Sequence, residues 1–163
     1  MADIGAAAGV TGSAIYRHFD GKSAVLVAMF DRVIDGLARD AEVIVTSDDP
    51  PRVALRKLIS GQVAFVLTDR TLAQVYHNEI TNLPAEDRHR LRRKQRMYLE
   101  EWVHMLAVLR PDTNDAELRT LAHAAIGAIQ STLFHQSGLP ATQLADLMAA
   151  SAEAVLFAST TPA

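Results

Sequence analysis

Within six consecutive residues the chain carries Ser13, Ala14, Tyr16, Arg17 and His18, flanked by Thr11, Gly12 and Lys22. These side chains have the chemistry to hold a nucleic acid. Arg17 can donate two hydrogen bonds to a guanine edge, Ser13 can pair with several bases, and the Ala14 methyl can touch a thymine methyl. Thr11, Tyr16, His18 and Lys22 suit phosphate oxygens, which fix a protein's position on a duplex without reading its sequence. A helix starting near Lys22 would add its N-terminal N–H groups as an anion site.

Two other patterns invite catalytic or metal chemistry. Glu86/His89 and Glu101/His104 are Glu-x-x-His pairs of the kind used by dimetal helical bundles, but such centres need the pairs on different, facing helices. Here both fall on one expected helix, 15 residues apart, hence about 22 Å along its axis. They cannot share a metal. No nucleophile motif or Gly-rich phosphate loop is present, and His77, His123 and His135 read as ordinary helical histidines. The reading is therefore of no enzyme, no catalytic residue, no cofactor and no metal.

Chemistry at Ser13 and Arg17 requires elements that aim them. Gly9 can take the left-handed conformation that ends a first short helix, and Thr11 can cap a second. Val10 and Ile15 stand at the positions of a hydrophobic staple, which fixes the angle between the two. Ile15 and Phe19 lie four apart and face inward, leaving Gly12, Ser13, Ala14, Tyr16, Arg17 and His18 outward. That is the geometry of a helix-turn-helix. The plainer alternative is a helical corner whose surface happens to carry Tyr-Arg-His.

The combination Ala8-Gly9-Val10-Thr11, Ile15-Tyr16-Arg17-His18-Phe19 and Lys22 resembles the helix-turn-helix of the tetracycline-repressor-like (TetR) family. The likeness covers about residues 2–30 and implies that Thr11, Tyr16, His18 and Lys22 meet phosphates while Gly12, Ser13, Ala14 and Arg17 fall where bases are read. It further implies a helical effector-binding and dimerisation domain, and a DNA-bound repressor released from a palindromic operator when its cavity fills. The family has a first helix upstream that has no counterpart here, so the expectation is of an N-terminally truncated member, with a true start upstream of Met1 as the alternative. Gly21 also stands where the family more often has Ser as a cap. The competing function is a truncated ligand-binding dimer that no longer grips an operator.

Bulk properties bound these readings. A chain of 163 residues that is 49% hydrophobic can bury one substantial core. No apolar run approaches the roughly 20 residues needed to cross a bilayer, and cysteine is absent, which fits a reducing cytoplasm. Net charge is −3 overall. Residues 1–47 hold four basic side chains (Arg17, Lys22, Arg32, Arg39) and six acidic (Asp3, Asp20, Asp31, Asp35, Asp40, Glu42), a balance of −2. Composition thus gives no basic footprint, and the case for DNA rests on the local motif.

Apolar residues recur at helical spacing in almost every long segment, so the fold class is all-α. Punctuation by Gly, Pro and capping residues predicts about eight helices: 2–8, 12–18, 22–46, 51–67, 70–81, 84–109, 114–136 and 141–158. The linker Ser47 to Pro51 divides the chain into a DNA-binding part with connecting helix, 1–47, and an effector and dimerisation part, 48–163. In the latter, Phe65, Tyr76, Met97, Tyr98, Trp102 and Met105 are candidate ligand contacts, with plain core as the alternative for each. Arg88, Arg90, Arg92, Arg93, Lys94 and Arg96 put six of the sixteen basic residues within nine positions. They read either as a solvated helix face or as cations for a fatty acyl or acyl-CoA-like effector. By resemblance, helices Asn114–Gln136 and Ala141–Ala158 form a homodimer, which would match a palindromic operator.

Overall fold

The computed structural model describes residues 21–159, and all regular structure among them is helical. Six α-helices follow in order: α1 (Lys22–Val45), α2 (Pro51–Thr68), α3 (Arg70–Glu79), α4 (Ala85–Leu109), α5 (Asp115–Gln130) and α6 (Ala141–Leu156). Short 3₁₀ turns, Ile80–Asn82 and Ser131–Phe134, continue α3 and α5. The six helices expected after residue 21 are all present; the two expected at 2–8 and 12–18 lie outside the described residues. The expected segments 70–81 and 114–136 each run on as a tighter turn rather than as α-helix, a common way for a last turn to close.

Each boundary has a local cause. Gly21, ahead of α1, has φ 122°, a conformation that penalises any residue with a Cβ. Glycine there serves the turn, and α1 begins without a side-chain cap. Pro50, Pro84 and Pro140 precede α2, α4 and α6, where a fixed φ favours helix entry. Asn114 caps α5 by accepting from the Glu117 N–H at 2.9 Å. The Glu117 carboxylate does not return to the Asn114 N–H but turns toward Arg110 at 3.7 Å.

Two apolar clusters hold the helices together. The larger joins α2, the second half of α4, α5 and α6 around Trp102, with Leu55, Ile59, Leu106, Ala122, Ile129 and Leu156. Trp102, Leu106 and Ala122 are wholly buried. The smaller joins the first half of α1 (Val25, Leu26, Phe30, Ile34) to Leu83 and Leu91, with Tyr76 packed edge-on against Phe30 at 4.7 Å. Ala41, near the other end of α1, belongs to the larger cluster. Helix α1 therefore bridges both clusters, and the connecting helix shares its core with the segment beyond the Ser47–Pro51 linker.

Most of the apolar stripe on α5 and α6 is spent inside the chain: Leu118, Ala122, Ala125, Ile129, Leu133 and Leu144 are buried. What these helices leave outside is an outer stripe of small residues. Ala124, Gly127, Ala150 and Ala154 are exposed, together with Leu147 and Phe134.

Candidate functional site

Between the two clusters the helices do not close. A cavity of about 390 Å³ is walled by Val33, Ile34 and Leu37 of α1, Gln62, Phe65 and Val66 of α2, and Ala73 and Tyr76 of α3. Helix α4 contributes Arg92, Gln95, Arg96, Tyr98 and Leu99, and α5 contributes His123, Ile126 and Gln130. The α4 residues 92, 95, 96 and 99 recur at the i, i+3, i+4, i+7 spacing that puts side chains on one helix face. The same spacing relates His123, Ile126 and Gln130. The apolar residues line the interior. Arg92, Arg96 and His123 are exposed and stand at the mouth.

Besides the residues at the mouth, Gln62, Tyr76, Gln95, Tyr98 and Gln130 bring polar groups into the wall. Gln62 is only 3% exposed, and its side-chain oxygen accepts from the Tyr98 hydroxyl at 3.0 Å. Burial pushes the Tyr98 hydroxyl up to about 12, so it stays protonated and donates. The Tyr76 hydroxyl is also buried but has no partner among the described residues. Burial raises it to about 12 against the opposing pull of Arg92.

The basic run on α4 separates into different jobs because 100° per residue turns its members onto different faces. Arg90 and Lys94 reach Asp31 of α1 at 2.6 and 2.7 Å, and Lys94 also meets Asp35 at 2.8 Å. Asp31 is partly buried, which raises its carboxyl, but hydrogen bonds from Arg90 and Lys94 outweigh that and hold it below the usual range. Arg88 donates to the Thr81 carbonyl at 3.0 Å. Arg92 and Arg96 line the cavity. A single solvated face therefore does not describe this run.

Of the six ligand contacts expected from sequence, the structure brings Phe65, Tyr76 and Tyr98 to the cavity. The other three are elsewhere. Met97 is 60% exposed on the outer side of α4, one residue out of register with the lining stripe. Trp102 and Met105 are buried in the larger cluster, one to two turns further along α4, where α2, α5 and α6 leave no space. Trp102 touches the site only through its edge-on contact with Tyr98 at 6.3 Å. The lining residues not singled out from sequence, Val33, Ile34, Leu37, Gln62 and Ile126 among them, are aliphatic or amide side chains with nothing to set them apart from core, whereas Arg92 and Arg96 belong to the basic run that the sequence offered as cations for an acyl-CoA-like effector.

Thr11, Gly12, Ser13, Ala14, Tyr16, Arg17 and His18 lie outside the described residues. Lys22 is the first residue of α1. Its side chain is 49% exposed and pairs with Glu79, at the end of α3, at 2.9 Å. The Glu-x-x-His pairs both fall on α4, and among the described residues no cluster of three or more His, Asp or Glu could hold a metal ion. No helix among them is long and apolar enough to cross a membrane.

Residues 48–156, which supply all of the cavity except the α1 wall, match the tetracyclin repressor-like C-terminal domain, and residues 1–29 match the bacterial regulatory proteins of the tetR family. The chain belongs to the TetR family. It is accordingly a helix-turn-helix DNA-binding regulator of transcription, with an all-α fold. A TetR-family regulator from Bordetella parapertussis superposes with a TM-score of 0.77 at 22% identity, covering 94% of this chain and 82% of that one. PfmR of Thermus thermophilus gives 0.73 at 17% identity over 93% and 84%. FadR of Bacillus subtilis, in complex with stearoyl-CoA, gives 0.69 at 17% over 92% and 83%. At these identities the likeness is one of fold. No curated protein sequence matches the chain.

Proposed function

We propose that this TetR-family regulator is a repressor released from a palindromic operator when a small apolar or acyl-CoA-like effector fills the cavity between α1 and α4. The observation that carries this reading is the placement of α1. It follows directly on the DNA-reading segment, supplies Val33, Ile34 and Leu37 to the cavity wall, and is tied to α4 through Asp31 and Asp35. An occupant pressing on that wall acts on the helix that carries the DNA-reading head. A ligand shifts such an equilibrium only as far as it prefers one arrangement over the other, and a cavity walled in part by α1 would supply that preference if α1 takes a different position when the cavity is filled. The stearoyl-CoA held by the Bacillus subtilis relative agrees with a fatty acyl effector.

Operator contact would be made by Ser13 and Arg17 at base edges, with Gly12 and Ala14 beside them, and by Thr11, Tyr16, His18 and Lys22 at phosphates. Dimerisation would use the outer stripe of α5 and α6, where Ala124, Gly127, Ala150 and Ala154 permit close approach and Leu147 adds apolar area. Gly127 is exposed, and a side chain there would meet no other residue among those described, which leaves room for a second copy. DNA as partner makes the cytoplasm the place of action.

Gel-shift with the flanking genomic DNA tests the reading. Arg17→Ala and Tyr16→Phe are each expected to weaken binding, and affinity should fall steeply with salt as counterions are released. Unchanged binding in both variants would favour a ligand-binding dimer without operator contact.

A further inference from the structure

We infer that the cavity is built for an effector with an apolar body and one anionic head group, the head held at the mouth by Arg92 and Arg96. The inference rests on the cavity being the effector site and adds the chemistry of what enters it. Its first support is how the cations of α4 are used. Arg90 and Lys94 are committed to Asp31 and Asp35, and Arg88 to the Thr81 carbonyl. Among the described residues, Arg92 and Arg96 make no ion pair and no hydrogen bond.

The lining holds these two arginines and not one carboxylate, in a chain whose net charge is −3. The cavity mouth is thus locally positive on a protein that is negative overall, and such a site draws anions. Arg92 and Arg96 are also four apart on one helix, a like-charge pair that opposes the helix unless an anion lies between them. Two guanidiniums at that spacing present parallel donor forks to a carboxylate or phosphate.

The third support is the Tyr76 hydroxyl, buried in the same wall and without a partner among the described residues. A buried polar atom left unpaired calls for an explanation, and a polar ligand atom entering beside Arg92 supplies one. Elsewhere in the wall Phe65, Val66, Leu99 and Ile126 offer apolar surface, and the Gln62 and Tyr98 side chains satisfy each other. The volume of about 390 Å³ lies near the small end of ligand cavities, which run from about 300 to 1,000 Å³. It accommodates the body of a medium-chain or aromatic acid. The nucleotide of a coenzyme A thioester would remain outside, with its phosphates able to reach the same two arginines.

Calorimetric titration of the full chain with octanoate, 1-octanol and octanoyl-coenzyme A tests this. Octanoate should bind about tenfold more tightly than 1-octanol, the worth of a charge-assisted contact at an exposed mouth. The double variant Arg92→Gln/Arg96→Gln should bring octanoate down to the level of the alcohol and leave the alcohol unchanged. Both side chains are exposed and unpaired among the described residues, so the variant should fold; unchanged alcohol binding verifies it. Arg93→Gln removes a neighbouring exposed charge away from the lining and should leave octanoate binding as it was. Octanoyl-coenzyme A binding more tightly than octanoate, and losing that advantage in the double variant, supports the inference with phosphate as the anion. Equal binding of alcohol and acid, or full octanoate affinity in the double variant, overturns the head-group inference alone. Failure of all three ligands to bind overturns it together with the cavity reading on which it rests.

Discussion

Tyr98→Phe removes a single oxygen from the cavity wall, and its cost follows from where the bond to that oxygen ends. The Tyr98 hydroxyl donates to the Gln62 side-chain oxygen at 3.0 Å, and Gln62 is 3% exposed. Without the hydroxyl, that oxygen is buried and unpaired. Such a group costs about 1–3 kcal/mol, against a net gain of about 0.5–1.5 kcal/mol from making the bond. Because Gln62 also borders the cavity, water there can partly satisfy it, so the expected loss is near the lower bound, about 1 kcal/mol. In a urea titration at fixed protein concentration, with a slope of roughly 1–3 kcal/mol per molar, the midpoint should fall by about 0.5 M. Fixed concentration matters because dimerisation contributes to apparent stability. Gln62→Leu should cost a similar amount by orphaning the hydroxyl instead. The double variant Gln62→Leu/Tyr98→Phe removes both partners and should be markedly more stable than the sum of the single losses predicts. Strict additivity, or a Tyr98→Phe midpoint equal to the parent's, would refute the claim that this buried pair depends on mutual satisfaction.

Asp31→Asn should destabilise by about 0.5–1 kcal/mol, a surface-pair value, because Arg90 is 42% exposed and solvent weakens the pair. Since, despite partial burial, its two cationic partners hold the Asp31 carboxyl below the usual aspartate value of 3.8, its contribution is present above that value and lost as pH falls through the lower folded value; the variant should flatten this part of the acid limb in a pH series of thermal melts. Trp102→Ala should cost about 3–5 kcal/mol by leaving a cavity in the larger cluster, read as a fall in the melting midpoint of about 2–4 °C per kcal/mol. Ala150→Arg with Ala154→Arg should shift the protein toward monomer in sedimentation while leaving its circular dichroism unchanged, since both residues are exposed on α6; a persistent dimer would place the interface elsewhere.

Sequence alone determined what depends on near neighbours along the chain. The helical period of the apolar residues fixed the class, and the prolines at 50, 51, 84, 111 and 140 placed the breaks to within a residue or two. The motif from Ala8 to Lys22 carried the family because its spacing is itself the signature. Side-chain bulk was a poorer guide to the cavity: it picked out Phe65, Tyr76 and Tyr98, but also Met97, Trp102 and Met105. Trp102 and Tyr98 sit one turn apart on α4 and are chemically equivalent candidates, yet α2, α5 and α6 enclose the first and leave space beside the second. The six cations of α4 posed the same problem. Their separation into Arg90 and Lys94 on Asp31 and Asp35, and Arg92 and Arg96 at the cavity mouth, was decided by the approach of α1, a helix about sixty residues earlier in the chain. Periodicity assigns a residue to a face of its own helix, while what that face meets is set by packing between distant segments, and only the tertiary structure holds that information.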